Sequence, residues 1–230
     1  MKTSPLIAAA AVVLLVGARA QRSRHQRSLH PAGRSFTGRL EIWGVPAPTG
    51  SDLLDKPGDY PVTVRVSKGL GSRGSRPDVL GLAIRIPGRD TDLLLSTAGT
   101  GRLTRHLPMP RRRFDAHYGT ITAYRTGTDR KIYLAAAPLR SAPPLGGTLD
   151  TVTAAALTGR AQLVLFADDQ PFGTVSFGPL LPPSTDADLA FDPIRNSTAD
   201  LHPTGTIHGS RALAYRLSQR WRRRPGPGPA

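Results

Sequence analysis

From residue 40 onward the chain alternates apolar and polar positions with a period of two. Val62, Val64 and Val66 interleave with Thr63, Arg65 and Ser67, the pattern of a strand with one buried face. Aliphatic, β-branched and aromatic runs predict eight strands: Leu40–Val45, Tyr60–Ser67, Leu80–Pro87, Asp92–Ala98, Gly119–Arg125, Ile132–Leu139, Ala161–Ala167 and Phe172–Leu181. Turn residues divide them, as in Lys56-Pro57-Gly58-Asp59 and Pro87-Gly88-Arg89-Asp90. Eight strands fit an antiparallel barrel, which removes exposed edges and can carry a ligand at its mouth. The period changes at Leu149–Leu157, which reads as a short helix between strands, and again at Ser210–Arg222, which reads as a terminal helix free of Gly and Pro. Residues 183–209 read as an extended, turn-rich connection, and no solenoid repeat is present. The expected fold is therefore mainly β (β-rich α+β): an eight-stranded antiparallel barrel with a few short helices and a C-terminal helix.

Composition agrees with a β-rich globular domain. Hydrophobic residues make up 39% and charged residues 20% of 230, and 24 Gly with 22 Pro supply the turns. A chain of this length fits one domain with a substantial core. The layout expected is an N-terminal hydrophobic segment and basic linker over 1–26, a single domain over 27–224, and a Pro/Gly-rich tail over 225–230. Without Cys, disulfides, thiolate catalysis, Cys-ligated zinc and iron–sulfur clusters are excluded. The net charge of +15 favours an anionic partner such as nucleic acid, anionic lipid or a propionate-bearing cofactor.

The apolar run Leu6 to Gly17, followed by Ala18-Arg19-Ala20, has the layout of a secretory signal. It is shorter than the roughly 20 residues of an ordinary membrane span. Arg19, Arg22, Arg24 and Arg27 follow it and outnumber Lys2 before it, which by the positive-inside rule holds the downstream side in the cytoplasm. Three readings stand at this point: a cytoplasmic domain anchored to the membrane through residues 6–17, export after cleavage, and an ordinary helix.

The six His (His25, His30, His106, His117, His202 and His208) form no HxH, HExxH or HxD cluster. No Gly-x-Ser-x-Gly elbow, phosphate loop or dinucleotide fingerprint is present either. The terminal helix carries more chemistry. Arg211 and Tyr215 stand four apart on one face, with Arg222 two turns beyond. A guanidinium beside a phenol lowers its pKa from about 10, and a phenolate is a ligand for ferric haem. The same stretch also reads as a basic helix whose Tyr packs on the core.

Several short motifs then occur in order. They are Arg27-Ser28-Leu29-His30-Pro31-Ala32-Gly33, Gly38-Arg39-Leu40-Glu41-Ile42, Val64-Arg65-Val66-Ser67, Asp78-Val79-Leu80-Gly81-Leu82-Ala83, Asp92-Leu93-Leu94, and Phe191-Asp192-Pro193 ahead of Arg211-x-x-x-Tyr215. In sequence and spacing this series resembles the haem catalases and their smaller catalase-like relatives, over roughly residues 27–222. The resemblance implies a catalase-like barrel binding one haem b. Tyr215 would be the iron ligand, kept ionised by Arg211. Arg27, Arg65 and Arg222 would bind the propionates, His30 would be the distal base, and Ser67 would fix its tautomer. Catalases carry an Asn shortly after Asp-Leu-Val; here Ser96 and Thr97 stand nearby, and Thr97 is the expected hydroxyl donor. Pro31-Ala32 replaces Ala-Lys after the distal His, and Arg216-Leu217-Ser218 replaces Pro-Asp-Thr after the Tyr.

The chemistry of peroxide cleavage suits that set. One peroxide oxygen must lose a proton and the other gain one before the O–O bond breaks, and one imidazole within reach serves both steps. The function expected is haem-dependent reduction of hydrogen peroxide or an organic hydroperoxide by an unidentified electron donor, in a monomer or small homo-oligomer. A non-catalytic haem-binding or sensing protein is the first alternative. A basic nucleic-acid or membrane-surface protein is the second. Aromatics at 6%, with no basic–aromatic stripe, argue against specific nucleic-acid binding.

Overall fold

The computed structural model describes residues 30–204. The expected boundaries at 26/27 and 224/225 and the expected terminal helix, with Arg27, Arg211, Tyr215 and Arg222, lie outside the described residues. In chain order the elements are β1 (Ala32–Ile42), α1 (Asp52–Asp55), β2 (Gly58–Lys68), β3 (Leu80–Ile86), β4 (Thr91–Thr97), β5 (Tyr118–Gly119), β6 (Tyr124–Thr126), β7 (Lys131–Ile132), β8 (Leu134–Pro138), α2 (Leu149–Leu157), β9 (Gln162–Ala167), β10 (Gln170–Leu180), α3 (Pro183–Asp188) and β11 (Leu201–Pro203). Eight of the strands close an antiparallel barrel in the order β1-β10-β9-β8-β5-β4-β3-β2. A small sheet, β11-β6-β7, stands beside it.

Alternation decides which side chains fill the barrel. Val62, Val64 and Val66 on β2 face inward with Leu80, Leu82, Ile84 and Ile86 on β3, and all are buried. Phe36 and Leu40 from β1 join them, and the Phe36 ring packs 5.7 Å from that of Phe177 on β10. Residues one step out of phase, such as Arg65, Ser67, Gly81 and Ser96, therefore lie on the outer face. α2 forms where the pattern placed it. Thr148 caps it, accepting from the Thr151 amide while the Thr151 side chain accepts from the Thr148 amide.

The structure redraws several boundaries. The expected strand Leu40–Val45 is the tail of a longer β1 that begins at Ala32. Its Gly-, Ser- and Arg-rich first half lies outside every expected strand, yet it pairs along its whole length with β2. Gly119–Arg125 breaks into β5 and β6, and Ile132–Leu139 into β7 and β8, each piece in a different sheet. The stretch 183–204 is not wholly extended, since α3 and β11 lie within it. Among the described residues no helix is long and apolar enough to cross a membrane.

Antiparallel closure gives the barrel two unlike rims. The chain enters at His30 on one rim, where the β2–β3, β4–β5 and β8–β9 connections also lie. The other rim carries the β1–β2, β3–β4 and β9–β10 connections.

Candidate functional site

The residues of interest converge at the first rim. Gly33 on β1 pairs with Ser67 on β2, Ser67 with Gly81 on β3, Gly81 with Ser96 on β4, and Ser96 with Gly119 on β5. This register sets one small residue after another across the outer face. His30 lies over it. The His30 backbone is left-handed, with φ 56°, a conformation that costs a non-glycine residue on the order of 1 kcal/mol. Its amide donates to the Gly69 carbonyl at 3.1 Å, which fixes the turn.

In that position the His30 ring brings Nδ1 to 2.9 Å from Ser67 Oγ. Gly81 makes room for it. A Cβ there would lie 2.6 Å from the ring atoms Cε1 and Nδ1 and 2.7 Å from Ser67 Oγ. The Ser67 hydroxyl can accept from Nδ1 or donate to it, according to the tautomer. When Nδ1 donates to Ser67, Nε2 presents a lone pair.

Arg65, two residues before Ser67 on the same outer face, is 5% exposed. Its Nε donates to Asp186 Oδ1 on α3 at 2.9 Å, and its Nη2 to the His30 carbonyl at 3.3 Å. Asp186 also accepts from the hydroxyl of buried Ser35. Gly33 leaves the space that the guanidinium occupies, since a Cβ there would collide with it. The cation expected to hold a propionate thus carries a carboxylate from its own chain.

Thr97 is placed differently from His30 and Ser67. It is fully buried, on the opposite side of β4 from Ser96, because adjacent strand residues face opposite ways. Its hydroxyl donates to the Met109 carbonyl at 2.7 Å and accepts from the Leu80 amide at 3.0 Å. Its single proton is committed to the loop after β4, so Thr97 does not offer the hydrogen bond expected of it. Ser96 is the β4 hydroxyl on the face shared with Ser67 and Gly81.

Two of the spaced motifs meet in space. Arg85 clamps Asp92 through Nε and Nη2 at 2.8 and 2.7 Å. Asp92 Oδ2 accepts from the Asp192 amide at 2.7 Å and from Asn196 Nδ2 at 2.8 Å. The Phe191 ring lies 4.9 Å from the Arg85 guanidinium. The hydrogen bond to Asp92 holds Arg85 above its ordinary value, against burial. This anchor docks the Phe191-Asp192-Pro193 segment onto the β3–β4 hairpin. The chain then runs through β11 to Thr204, whose amide donates to the Ala123 carbonyl at 2.8 Å.

The register that juxtaposes Gly33, Ser67 and Gly81 has no signal in local sequence. Asp186 had none either, lying in a polar stretch that reads as linker. Tyr118, the phenol inside the barrel, is pushed well above the ordinary tyrosine range by burial and by Asp115. It stays a neutral phenol and donates to the Phe114 carbonyl at 3.0 Å. Among the described residues no group of three or more His, Asp or Glu could hold a metal ion. An open groove of about 540 Å³ is lined by Leu139, Pro143, Arg160 and Gln162 and does not include His30.

No protein-family model matches this chain. No curated protein matches it. A solved structure does, that of a fungal catalase at 1.9 Å, with a TM-score of 0.65 and 14% sequence identity. The fold is catalase-like. The match covers 90% of this chain and 62% of that one, so the chain spans under two thirds of the catalase it matches. On the His30 side the imidazole, its Ser67 contact and the Gly81 cradle form one fixed unit. The Arg65 Nε is already occupied by Asp186.

Proposed function

We propose that the protein binds one haem b against the His30 face of the barrel and uses it to reduce hydrogen peroxide or an organic hydroperoxide at the expense of an electron donor. The observation that carries this reading is the His30–Ser67 contact at 2.9 Å, seated over Gly81 on a catalase-like barrel. Tyr215 is the proposed iron ligand, with Arg211 beside it to favour the phenolate. Arg27 and Arg222 hold the propionates, and Arg65 joins them where Asp186 yields. Bound haem supplies the redox chemistry. The chain's own part is proton handling: His30 Nε2 takes a proton from one peroxide oxygen and returns it to the other, while Ser67 keeps the tautomer that permits this.

A second reading, a haem-binding or sensing protein without turnover, is favoured by one observation. The Thr97 proton goes to Met109, and no amide side chain stands beside it on β4. Titration with haem, comparing the natural sequence with Tyr215→Phe, tests the shared part. Stoichiometric uptake, with an absorption band that the substitution alters, supports both readings; no uptake overturns both. Oxidation of a reducing dye by peroxide, lost in His30→Ala, separates them. Uptake without any turnover leaves the passive binder.

A further inference from the structure

The two rims differ in how their charges are settled. Toward the far rim, four cations have carboxylate neighbours, Lys56 with Asp52, Arg39 with Asp59, Arg125 with Asp129 and Arg130 with Asp168, while the exposed Lys131 has none among the described residues. On the rim where the chain enters, Arg73, Arg76, Arg111, Arg112, Arg140 and Arg160 are exposed, and none has a carboxylate within ion-pair distance among the described residues. The acidic groups of that rim are largely spent. Asp78 is buried under the Leu70 and Ser72 amides, Asp115 pairs with Arg113, Asp150 with Arg34, and Asp186 with Arg65. Of this group Asp150, paired with Arg34, and Asp188 remain exposed. Arg73, Arg76, Arg111 and Arg112 lie on the β2–β3 and β4–β5 connections, which are stitched by paired backbone bonds between Asp78 and Arg111, at 3.0 and 2.8 Å.

Large aliphatic side chains share this rim. Leu157 is 73% exposed, Leu70 58% and Leu107 50%. Leu157 lies at the end of α2, three residues before Arg160. The chain reaches the rim at His30, hydrogen-bonded to Gly69 beside Leu70. The sequence leading to that point holds the apolar run Leu6–Gly17 and four further arginines, Arg19, Arg22, Arg24 and Arg27.

We propose that this rim is a docking surface for an anionic lipid bilayer, with the cations on headgroups and the exposed leucines at the headgroup–acyl boundary. Charge complementarity selects the anionic partner, since basic residues are drawn to the negative surface potential of an anionic membrane. The aliphatic character selects lipid over nucleic acid. Single-strand binders stack bases on aromatics, and the exposed apolar residues of this rim are leucines. The apolar run delivers the same rim to the same surface, and two weak attachments together give what one cannot. This proposal does not depend on haem.

The test uses the full chain with vesicles of phosphatidylcholine alone or with about a third phosphatidylglycerol, followed by sedimentation. The triple variant Arg73→Glu, Arg112→Glu, Arg160→Glu is compared with the same three positions changed to Lys. The expected result is preferential binding to the anionic vesicles, falling on the order of 100-fold in the Glu variant and kept in the Lys variant. Equal binding to both vesicle types overturns the proposal, as does equal binding by the Glu variant, because the apolar run alone then accounts for attachment. Displacement from anionic vesicles by a duplex oligonucleotide at matched charge overturns it in favour of nucleic acid.

Discussion

Replacing Asp186 by Ala removes the carboxylate that balances Arg65 and keeps everything else in the barrel. Arg65 is 5% exposed and the Asp186 side chain 19%, so the guanidinium is left beneath α3 with its Nε unpaired. Breaking a buried pair from one side costs about 3–5 kcal/mol. Water reaching the partly exposed Asp186 position places the value near the lower end, about 3 kcal/mol. The Ser35 hydroxyl, buried and donating to the same carboxylate, adds roughly 1 kcal/mol. With a urea slope near 2 kcal/mol per molar, the midpoint falls by about 1.5–2 M. A charge-free background checks the cause. In Arg65→Met the carboxylate has no cation to balance, and the double variant Arg65→Met, Asp186→Ala should recover most of the loss, because an apolar replacement of both partners is close to neutral. A single-variant loss below about 0.5 kcal/mol would refute the reasoning, and so would a double variant equal to the sum of the two singles. If haem binds as proposed, a propionate can replace the lost carboxylate, so haem should raise the midpoint of Asp186→Ala more than that of the natural sequence.

Three further outcomes are expected. Gly81→Ala forces the His30 ring off its seat, because the new methyl carbon meets it at 2.6 Å; imidazole nitrogen resonances should lose the Ser67 contact, at about 1–3 kcal/mol of stability, and unchanged resonances would contradict the cradle. Thr97→Val orphans the Leu80 amide and the Met109 carbonyl, at about 1–3 kcal/mol, read as a lower melting temperature; haem uptake should be unaffected and Thr97→Ser largely normal. Asp78 lies below the ordinary aspartate value although burial opposes this, because the Ser72 and Leu70 amides stabilise its carboxylate. The unfolded chain therefore binds that proton more readily, and the Asp78 contribution is complete above the ordinary carboxylate range and lost as pH falls through the lower folded value. Denaturant titrations of Asp78→Asn should show a deficit at neutral pH that disappears in strong acid.

Strand content was legible wherever alternation ran cleanly. Val62 to Ser67 and Leu80 to Ile86 fell where the pattern put them, and Leu149–Leu157 matched its helix because Thr148 supplies a local cap. The first half of β1 was not legible. Its Gly, Ser and Arg residues have low strand propensity, and only pairing with β2 makes them a strand. Tertiary closure also split the segment around Tyr124, which no local signal marks. At the site, Ser67 and His30 came together through an ordered series of motifs, not through spacing, since 37 positions separate them. Thr97 and Ser96 differ by one position, and only the phase of β4 decides which faces His30. Asp186 was out of reach because a lone carboxylate in a polar stretch acquires meaning only when Arg65 is placed against it.

The pairing of β1 with β10 has a temporal side. The barrel's first strand closes against its last, with Phe36 opposite Leu180, so no nascent chain can complete the wall until the ribosome has passed that point. At about 5–20 residues per second, synthesis from Ile42 at the end of β1 to Leu180 takes roughly 7–28 s. Through that interval β1 presents an open edge, and Arg65 waits without the carboxylate that arrives six residues after Leu180. The order of synthesis therefore makes the Arg65–Asp186 pair a late latch, set once the wall has shut. Truncations ending before residue 180 should be soluble only while a chaperone covers that edge.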